Sequence, residues 1–287
     1  MTLRFRGKPM PENETLVMAI VNRTPDSFFD RGRTYELDRA MERVDQVVAE
    51  GAHLVDIGGV KAAPGEEVPL HEEIRRVVEL VEPVRERFPD LVISVDTYRA
   101  EVADAACRAG ADVVNDAWGQ PEPRTAEVAA AHGAGLVCTH AGGLPPRTRP
   151  HRIGYDDVVA EVSAELVRMA ETALAAGVDR EGILIDPGHD FGKNSRHSLR
   201  LTAELDTLVA TGWPVLCALS RKDFVGEVLD VLPDERLEGT LAATAISTWL
   251  GARVLRAHDV AATLRVTRMV DAMLGRRDLA VGKRGLA

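Results

Sequence analysis

Cysteine is scarce in this chain of 287 residues. The three cysteines, Cys107, Cys138 and Cys217, are scattered among apolar neighbours and form no Cys-x-x-Cys or Cys/His pattern. This arrangement argues against a disulfide scaffold and is typical of reduced core thiols in a cytosolic protein. A chain of this length also buries enough apolar surface to fold without a disulfide or a structural metal.

An excess of positive charge and long apolar runs are missing as well. The formal net charge at pH 7 is −10, which argues against general affinity for nucleic acids or anionic membranes. No apolar run approaches the roughly 20 residues of a membrane span, and the N-terminal residues lack the apolar segment of a signal peptide. We therefore expect a cytoplasmic protein that binds neither nucleic acid nor membranes.

Eight short apolar runs are the most informative feature of the sequence. A buried parallel strand is a continuous Val/Ile/Leu run, and each run here ends in a polar residue or a glycine. In a barrel, polar residues at the ends of several strands together form one active site. The runs cover residues 16–22, 54–59, 91–96, 113–116, 135–140, 183–186, 214–220 and 254–259.

Helical patterns lie between these runs, at residues 37–50, 70–87, 100–109, 124–132, 155–176, 195–211, 236–251 and 260–274. Alternating strands and helices predict a parallel sheet, and eight repeats predict closure into a single (β/α)8 TIM barrel over residues 1–274. The Gly- and charge-rich residues 275–287 are expected to form a flexible C-terminal tail. An open doubly wound sheet is the alternative, but it normally carries a Gly-x-Gly-x-x-Gly turn, which residues 22–26 do not resemble.

Polar groups at the predicted strand ends suit a flat heterocycle. Asp96, Asn115 and Asp186 offer two carboxylates and one amide to the same cavity. A side-chain amide can both donate and accept hydrogen bonds, and a carboxylate can accept hydrogen bonds from two adjacent N–H groups. The competing interpretation is that Asp56, Asp96 and Asp186 only cap the helices that follow them.

Cationic groups follow the last two predicted strands. Lys222 comes just after the seventh strand, and Arg256 and His258 alternate on the eighth, so that both point to one side of it. Barrels usually hold phosphate near the ends of strands seven and eight. His140 and His189 do not combine with other side chains at zinc-like spacing, and we therefore propose no transition-metal site.

The segment Asn22-Arg-Thr-Pro-Asp-Ser-Phe28 resembles the Asn-Val-Thr-Pro-Asp-Ser-Phe signature of dihydropteroate synthases. Further motifs of that family follow in the same order along nearly the whole chain, at residues 56–59, 64–65, 94–97, 115–116, 186–188, 191–193, 220–222 and 256–259. The resemblance implies a pterin-binding (β/α)8 barrel. Enzymes of the family are transferases of folate biosynthesis, which join 6-hydroxymethyl-dihydropterin pyrophosphate to p-aminobenzoate and release pyrophosphate with the help of Mg²⁺.

The resemblance also implies roles for particular residues. Asp96, Asn115, Asp186 and Lys222 would hold the pterin, while Arg256 and His258 would bind the pyrophosphate, and Asn22 its Mg²⁺. Asp30, Pro64, Phe191 and Asp223 would line the side of the second substrate. The implied reaction is an SN1-like departure of pyrophosphate, after which the arylamine attacks a pterin methylene cation. A homodimer through helices near the C-terminus is implied by the resemblance alone.

The sequence departs from the family pattern on the second-substrate side. Ala62 and Ala63 replace a threonine and an arginine, and Lys61 cannot reproduce the planar fork of the lost arginine. Asp223 replaces the serine that receives the p-aminobenzoate carboxylate, and facing carboxylates repel each other. Other differences from the usual residues are Arg23, Arg31, Ala141, His189 and Asp190.

Three functions are compatible with this pattern. The first is a dihydropteroate synthase with weakened activity. The second is a divergent, inactive homologue that keeps a pterin and pyrophosphate pocket but takes another second ligand or only binds. The third is a pterin-dependent methyl-transfer domain, which residues 220–222 and the pair Arg256 and His258 disfavour because they fit pyrophosphate chemistry. Asp223 favours a neutral or positively charged second ligand.

Overall fold

The computed structural model describes residues 2–24, 34–61, 65–118, 124–147 and 154–282. Within them, eight parallel strands form one sheet. The strands are β3 (Leu16–Asn22), β4 (Leu54–Gly58), β5 (Val92–Asp96), β6 (Val113–Asp116), β7 (Gly135–Thr139), β8 (Ile183–Asp186), β9 (Leu216–Cys217) and β10 (Val254–Ala257). Their order in the sheet is β8-β7-β6-β5-β4-β3-β10-β9. A bridge between Ile185 and Val215 joins the two ends of the sheet, which closes into the predicted barrel.

Helices surround this barrel, and most begin and end within a few residues of the predicted positions. They are α1 (Leu37–Glu50), α2 (Leu70–Arg87), α3 (Ala100–Ala109), α4 (Arg124–Ala131), α5 (Val158–Ala175), α6 (Ser195–Ala203), α7 (Leu205–Val209), α8 (Asp223–Leu229), α9 (Leu237–Trp249) and α10 (Val260–Met273). The (β/α)8 prediction is confirmed. Among these helices, none is long and apolar enough to cross a membrane.

Two helix predictions need correction. The pattern at residues 195–211 forms α6 and α7, which are separated at Glu204. The helix predicted to begin at residue 155 begins at Val158, because the Asp157 side chain accepts hydrogen bonds from the N–H groups of Val159 and Ala160. The short helix α8 was not predicted, since seven residues are too few for a clear periodicity.

An antiparallel hairpin, β1 (Arg4–Phe5) and β2 (Lys8–Pro9), precedes the barrel and closes its N-terminal end. Phe5 is fully buried in a cluster with Leu16, Leu54 and other residues that fill the barrel interior. Gly135 makes this contact possible, since a Cβ there would lie 2.6 Å from a Phe5 ring carbon. The N-terminal end of the barrel is therefore packed with apolar side chains.

Candidate functional site

Asp56 is the centre of a buried polar network inside the barrel. Its Oδ2 atom accepts hydrogen bonds from Arg256 Nε at 2.6 Å and from Asn115 Nδ2 at 3.1 Å. Its Oδ1 atom accepts from Ser94 Oγ at 2.6 Å. Alternation along parallel strands turns these side chains into the same interior. The motif around Asp56 was recognised in the sequence, but its central position was not predicted because three other strands supply its partners.

Asp96 completes this network at the end of β5. Arg256 Nη2 donates to Asp96 Oδ2 at 2.8 Å, so that one guanidinium bridges two buried carboxylates. Burial raises the pKa of Asp96 to about 7, although Arg256 opposes the rise. Near neutral pH the Asp96 carboxyl group can therefore act as a donor or as an acceptor toward a ring with N–H and C=O edges.

Asp186 and Lys222 lie on the opposite wall of the barrel mouth. Asp186 is buried and its Oδ1 atom accepts from the N–H of Gly188 at 2.8 Å. Lys222 donates to the carbonyl oxygen of His189, and its Nζ lies 4.8 Å from the centre of the Phe191 ring. Burial lowers the pKa of Lys222, an effect that nearby carboxylates oppose, Asp190 more than Asp186.

The helix-capping interpretation of the three strand-end aspartates is wrong. Asp56 and Asp96 direct their carboxylates to Arg256 in the barrel interior, and Asp186 stabilises a turn through Gly188. The cap positions of α2, α3 and α6 are Pro69, Arg99 and Asn194.

Asn22 ends β3, and His258 directly follows the neighbouring strand β10. A Cβ added at Gly58 would lie 3.3 Å from Asn22 Oδ1 and 3.7 Å from Asp96 Cβ, so Asn22 and Asp96 flank this glycine. The ring Nδ1 of His258 is 2.9 Å from Ser220 Oγ. Burial, reinforced by Arg256, lowers the pKa of His258 to about 3, and its imidazole is therefore neutral. Both residues line a cavity of about 650 Å³, whose other lining residues lie mainly on α1 and at the start of α10.

Known proteins resemble this chain over nearly its whole length. A family model described as pterin binding enzyme matches residues 18–258. The Mycobacterium leprae protein named "Inactive dihydropteroate synthase 2" is 53% identical over 289 residues, or 98% of each chain. The dihydropteroate synthase of Bacillus subtilis is 40% identical over 92% of this chain and 90% of its own. The crystal structure of the Yersinia pestis dihydropteroate synthase with a sulfonamide drug has a TM-score of 0.90 at 37% identity, and the match covers 96% of this chain and 100% of that one.

This chain belongs to the dihydropteroate synthase family. The resemblance noted in the sequence is thereby confirmed, and so is the fold expected from it. The family resemblance assigns pterin and pyrophosphate binding to seven residues, and the structure gathers all of them around one barrel mouth. They are Asn22, Asp96, Asn115, Asp186, Lys222, Arg256 and His258. We call the connected group of Asp56, Asp96, Asn115, Asp186, Lys222 and Arg256 the floor of the site.

The second-substrate side of the family site is different. Asp223 does not join the other groups, because its side chain is 80% exposed and its Oδ1 atom accepts from Arg236 Nη1 at 2.8 Å. Phe191 does line the mouth, with its ring centre 5.1 Å from that of Trp118 in an edge-on contact. Asp30 and Pro64 lie outside the described residues, as do Arg31, Ala62 and Ala63.

Arg23 stands where family members usually carry valine, and its contacts are with structural elements of the chain. It is buried and donates to the carbonyl oxygens of Tyr35 at 3.2 Å and Arg76 at 2.9 Å. Its guanidinium also forms an ion pair with Glu79 at 2.8 Å. These bonds join Arg23 to Tyr35 and to α2, and they use the positive charge of Arg23 away from the floor.

Lys193 is a site-adjacent residue that the sequence reasoning missed. Its Nζ is 2.8 Å from His140 Nδ1 and donates to the carbonyl oxygens of His140, Gly188 and Phe191 at 3.0, 3.2 and 2.9 Å. Burial lowers the pKa of Lys193 to about 7. The Phe-Gly-Lys motif was the available signal, but only the fold shows that this lysine holds the turn after β8 together.

Proposed function

We propose that this protein is a divergent family member that binds pterin pyrophosphate but does not condense it with p-aminobenzoate. The observation that carries the proposal is the contrast between the two sides of one site. The floor residues form a buried, hydrogen-bonded set around Arg256, whereas Asp223 is turned outward to Arg236. The relative from M. leprae, at 53% identity, is itself named inactive.

Pterin recognition would come from the floor. Asn115 uses its Nδ2 on Asp56, so its Oδ1 is oriented to accept from a ligand N–H. Asp96 and Asp186 supply carboxyl oxygens from opposite walls, and Lys222 supplies a donor next to Asp186. A planar ring with adjacent N–H and C=O groups satisfies this mixed set, and burial strengthens each of these bonds.

Pyrophosphate would lie toward Asn22 and His258. The neutral His258 ring can donate one hydrogen bond, and Arg256 adds the positive charge that a leaving group requires. In the described parts of the chain, no group of three or more His, Cys, Asp or Glu side chains could hold a metal. The chemistry of Asn22 fits an Mg²⁺ ion, since the ion takes oxygen ligands such as this side-chain amide and is often held by few protein ligands plus substrate phosphates. When bound, that ion would neutralise charge on the departing pyrophosphate.

A weakly active dihydropteroate synthase is the second candidate, because every floor residue for that chemistry is present. One experiment separates the two. Calorimetry should detect pterin pyrophosphate binding, and a pyrophosphate-release assay with and without p-aminobenzoate should show no amine-dependent product. Absence of pterin pyrophosphate binding at high ligand concentration would refute the proposal. Slow release of pyrophosphate that requires p-aminobenzoate would establish the second candidate instead.

We also propose a cytoplasmic homodimer. Helix α9 buries the small polar residues Thr240, Thr244 and Thr248 but exposes Ile246 and Trp249, which are 50% and 53% exposed. A helix with apolar residues on its outer face needs a cover, and a second copy of the chain would provide it. All three cysteines lie in the described part of the chain and none forms a disulfide, which is consistent with a reducing compartment.

A further inference from the structure

Asp190 lies in the turn between β8 and α6 with an unusual backbone conformation. Its φ angle is +66°, in the left-handed region that favours glycine and that non-glycine residues seldom occupy. Aspartate tolerates this region better than most residues because its short side chain can form local hydrogen bonds. The turn therefore retains a carboxylate at a position where a glycine would be less strained.

The Asp190 carboxylate occupies hydrogen-bond donors on the wall of the mouth. Its Oδ1 atom accepts from Ser198 Oγ at 3.0 Å, and its Oδ2 atom accepts from the N–H of Phe224 at 3.3 Å. Burial raises the pKa of Asp190, and Lys222, followed by these two donors, opposes the rise. These two donors are used by the Asp190 carboxyl group and are therefore not available to a ligand.

Lys222 is a cation beside this wall, where its Nζ donates to the carbonyl oxygen of His189. Its ammonium lies over the Phe191 ring and is attracted by two carboxylates of the chain itself, Asp190 and Asp186. The positive charge is therefore compensated before any ligand arrives. A ligand carboxylate next to Lys222 would also meet the negative charge of Asp190, in a buried place where repulsion between like charges is strong.

Asp223 is a weaker source of repulsion than its sequence position implies. Its side chain is mostly exposed and forms an ion pair with Arg236. Solvent and the arginine screen this carboxylate, whereas Asp190 lies inside the wall. The geometry therefore moves the discriminating role from Asp223, where the sequence pattern put it, to Asp190.

We infer that Asp190 fills, from within the chain, the position of a ligand carboxylate next to Lys222, and that the second ligand of this pocket is an uncharged aromatic amine. This inference rests on the proposed pterin-binding function. The edge-on pair of Phe191 and Trp118 provides the apolar surface for the ligand ring. The missing negative charge is the property that distinguishes this ligand from p-aminobenzoate.

The test compares two probes of the same shape, 4-aminobenzoate and 4-aminobenzamide, by calorimetry on protein saturated with pterin pyrophosphate. The wild-type protein should bind the amide at least tenfold more tightly than the carboxylate. Asp190→Asn keeps the hydrogen-bond acceptor and the tolerance for positive φ, and it should reduce this preference at least fivefold. Asp190→Gly, which relieves the backbone strain, should do the same. Glu227→Gln removes a charge from an exposed side chain of α8 and is the matched control, with less than a twofold effect.

Several results would overturn the inference. An equal affinity of the wild-type protein for both probes would do so, as would a preference that Asp223→Asn reduces and Asp190→Asn does not. Failure of either probe to bind would also count against it. Binding of pterin pyrophosphate is measured first in the same titrations, so a failure of the proposed pterin site is seen separately from a failure of the amine preference.

Discussion

Replacement of Arg256 with methionine tests the charge network of the floor. The side chain is of similar length, but it leaves Asp56 and Asp96 without the guanidinium that bridges them at 2.6 and 2.8 Å. Removal of one partner from a buried ion pair costs about 3–5 kcal/mol, because the remaining charge is uncompensated. Asp56 keeps its hydrogen bonds from Ser94 and Asn115, and we therefore expect the free energy of unfolding to fall by about 3 kcal/mol.

The loss should depend on pH, since Asp96 is the group that titrates. Burial raises its pKa to about 7 even with Arg256 present, and removal of the arginine raises it further. Above about pH 7, the folded variant would then bind a proton that the folded wild-type protein has released. The free-energy deficit of the variant should therefore grow with pH, by up to about 1.4 kcal/mol per pH unit.

Urea unfolding at about pH 6, 7 and 8 measures both effects. The double variant Asp96→Asn/Arg256→Met lacks the titrating carboxylate, so its loss of stability should not depend on pH. This loss should be at least about 1 kcal/mol smaller than the sum of the losses in the two single variants. Arg168→Met, at an exposed pair with Glu165, is the matched control and should change stability by less than about 0.5 kcal/mol. Additive single effects without a pH slope would refute the coupling between Arg256 and Asp96.

Three further predictions concern other parts of the molecule. Asp112→Asn should lower the free energy of unfolding by about 3 kcal/mol in urea, because the buried carboxylate loses its charged bonds from Lys8 and Arg85; a change below about 1 kcal/mol would contradict this. Burial lowers the pKa of Lys193 to about 7, so between about pH 7.5 and about pH 9 only the unfolded chain keeps this lysine protonated. The free energy of unfolding of the wild-type protein, compared with that of Lys193→Met, should therefore rise with pH over this range. A difference that does not change with pH would exclude this titration. Trp249→Glu should convert a dimer into a monomer in sedimentation velocity, and an unchanged dimer would place the interface elsewhere.

The barrel itself could be predicted from the sequence because buried parallel strands leave a simple signal. Each of the eight runs is mainly apolar and stops at a polar residue or a glycine, and those stops coincide with the rim of the barrel. The glycines that cap α1 and α3 were readable for the same local reason, since Gly51 and Gly110 adopt φ angles of +99° and +118°. Local patterns of this kind need no knowledge of distant contacts.

The contacts of the site were not readable in the same way. Asp56 and Arg256 are 200 residues apart in sequence, and only the closed barrel brings β4 and β10 next to β3. The outward turn of Asp223 depends on Arg236, which lies beyond α8, a helix too short to be predicted. The direction of a side chain at the rim thus depends on which loop supplies its partner. The spacing of apolar residues in the sequence does not predict that partner.

The division of the site into a retained floor and an altered wall has a physical basis. Floor residues such as Asp56 and Asn115 lie on strands whose register and packing fix their direction, so a change there disturbs the barrel. Asp190 lies instead on a turn whose shape is held independently by Lys193, through three carbonyl oxygens and the His140 ring. A carboxylate can therefore enter this turn without moving the floor. Under the function proposed above, the choice of the second ligand therefore changes while the pterin pocket stays intact.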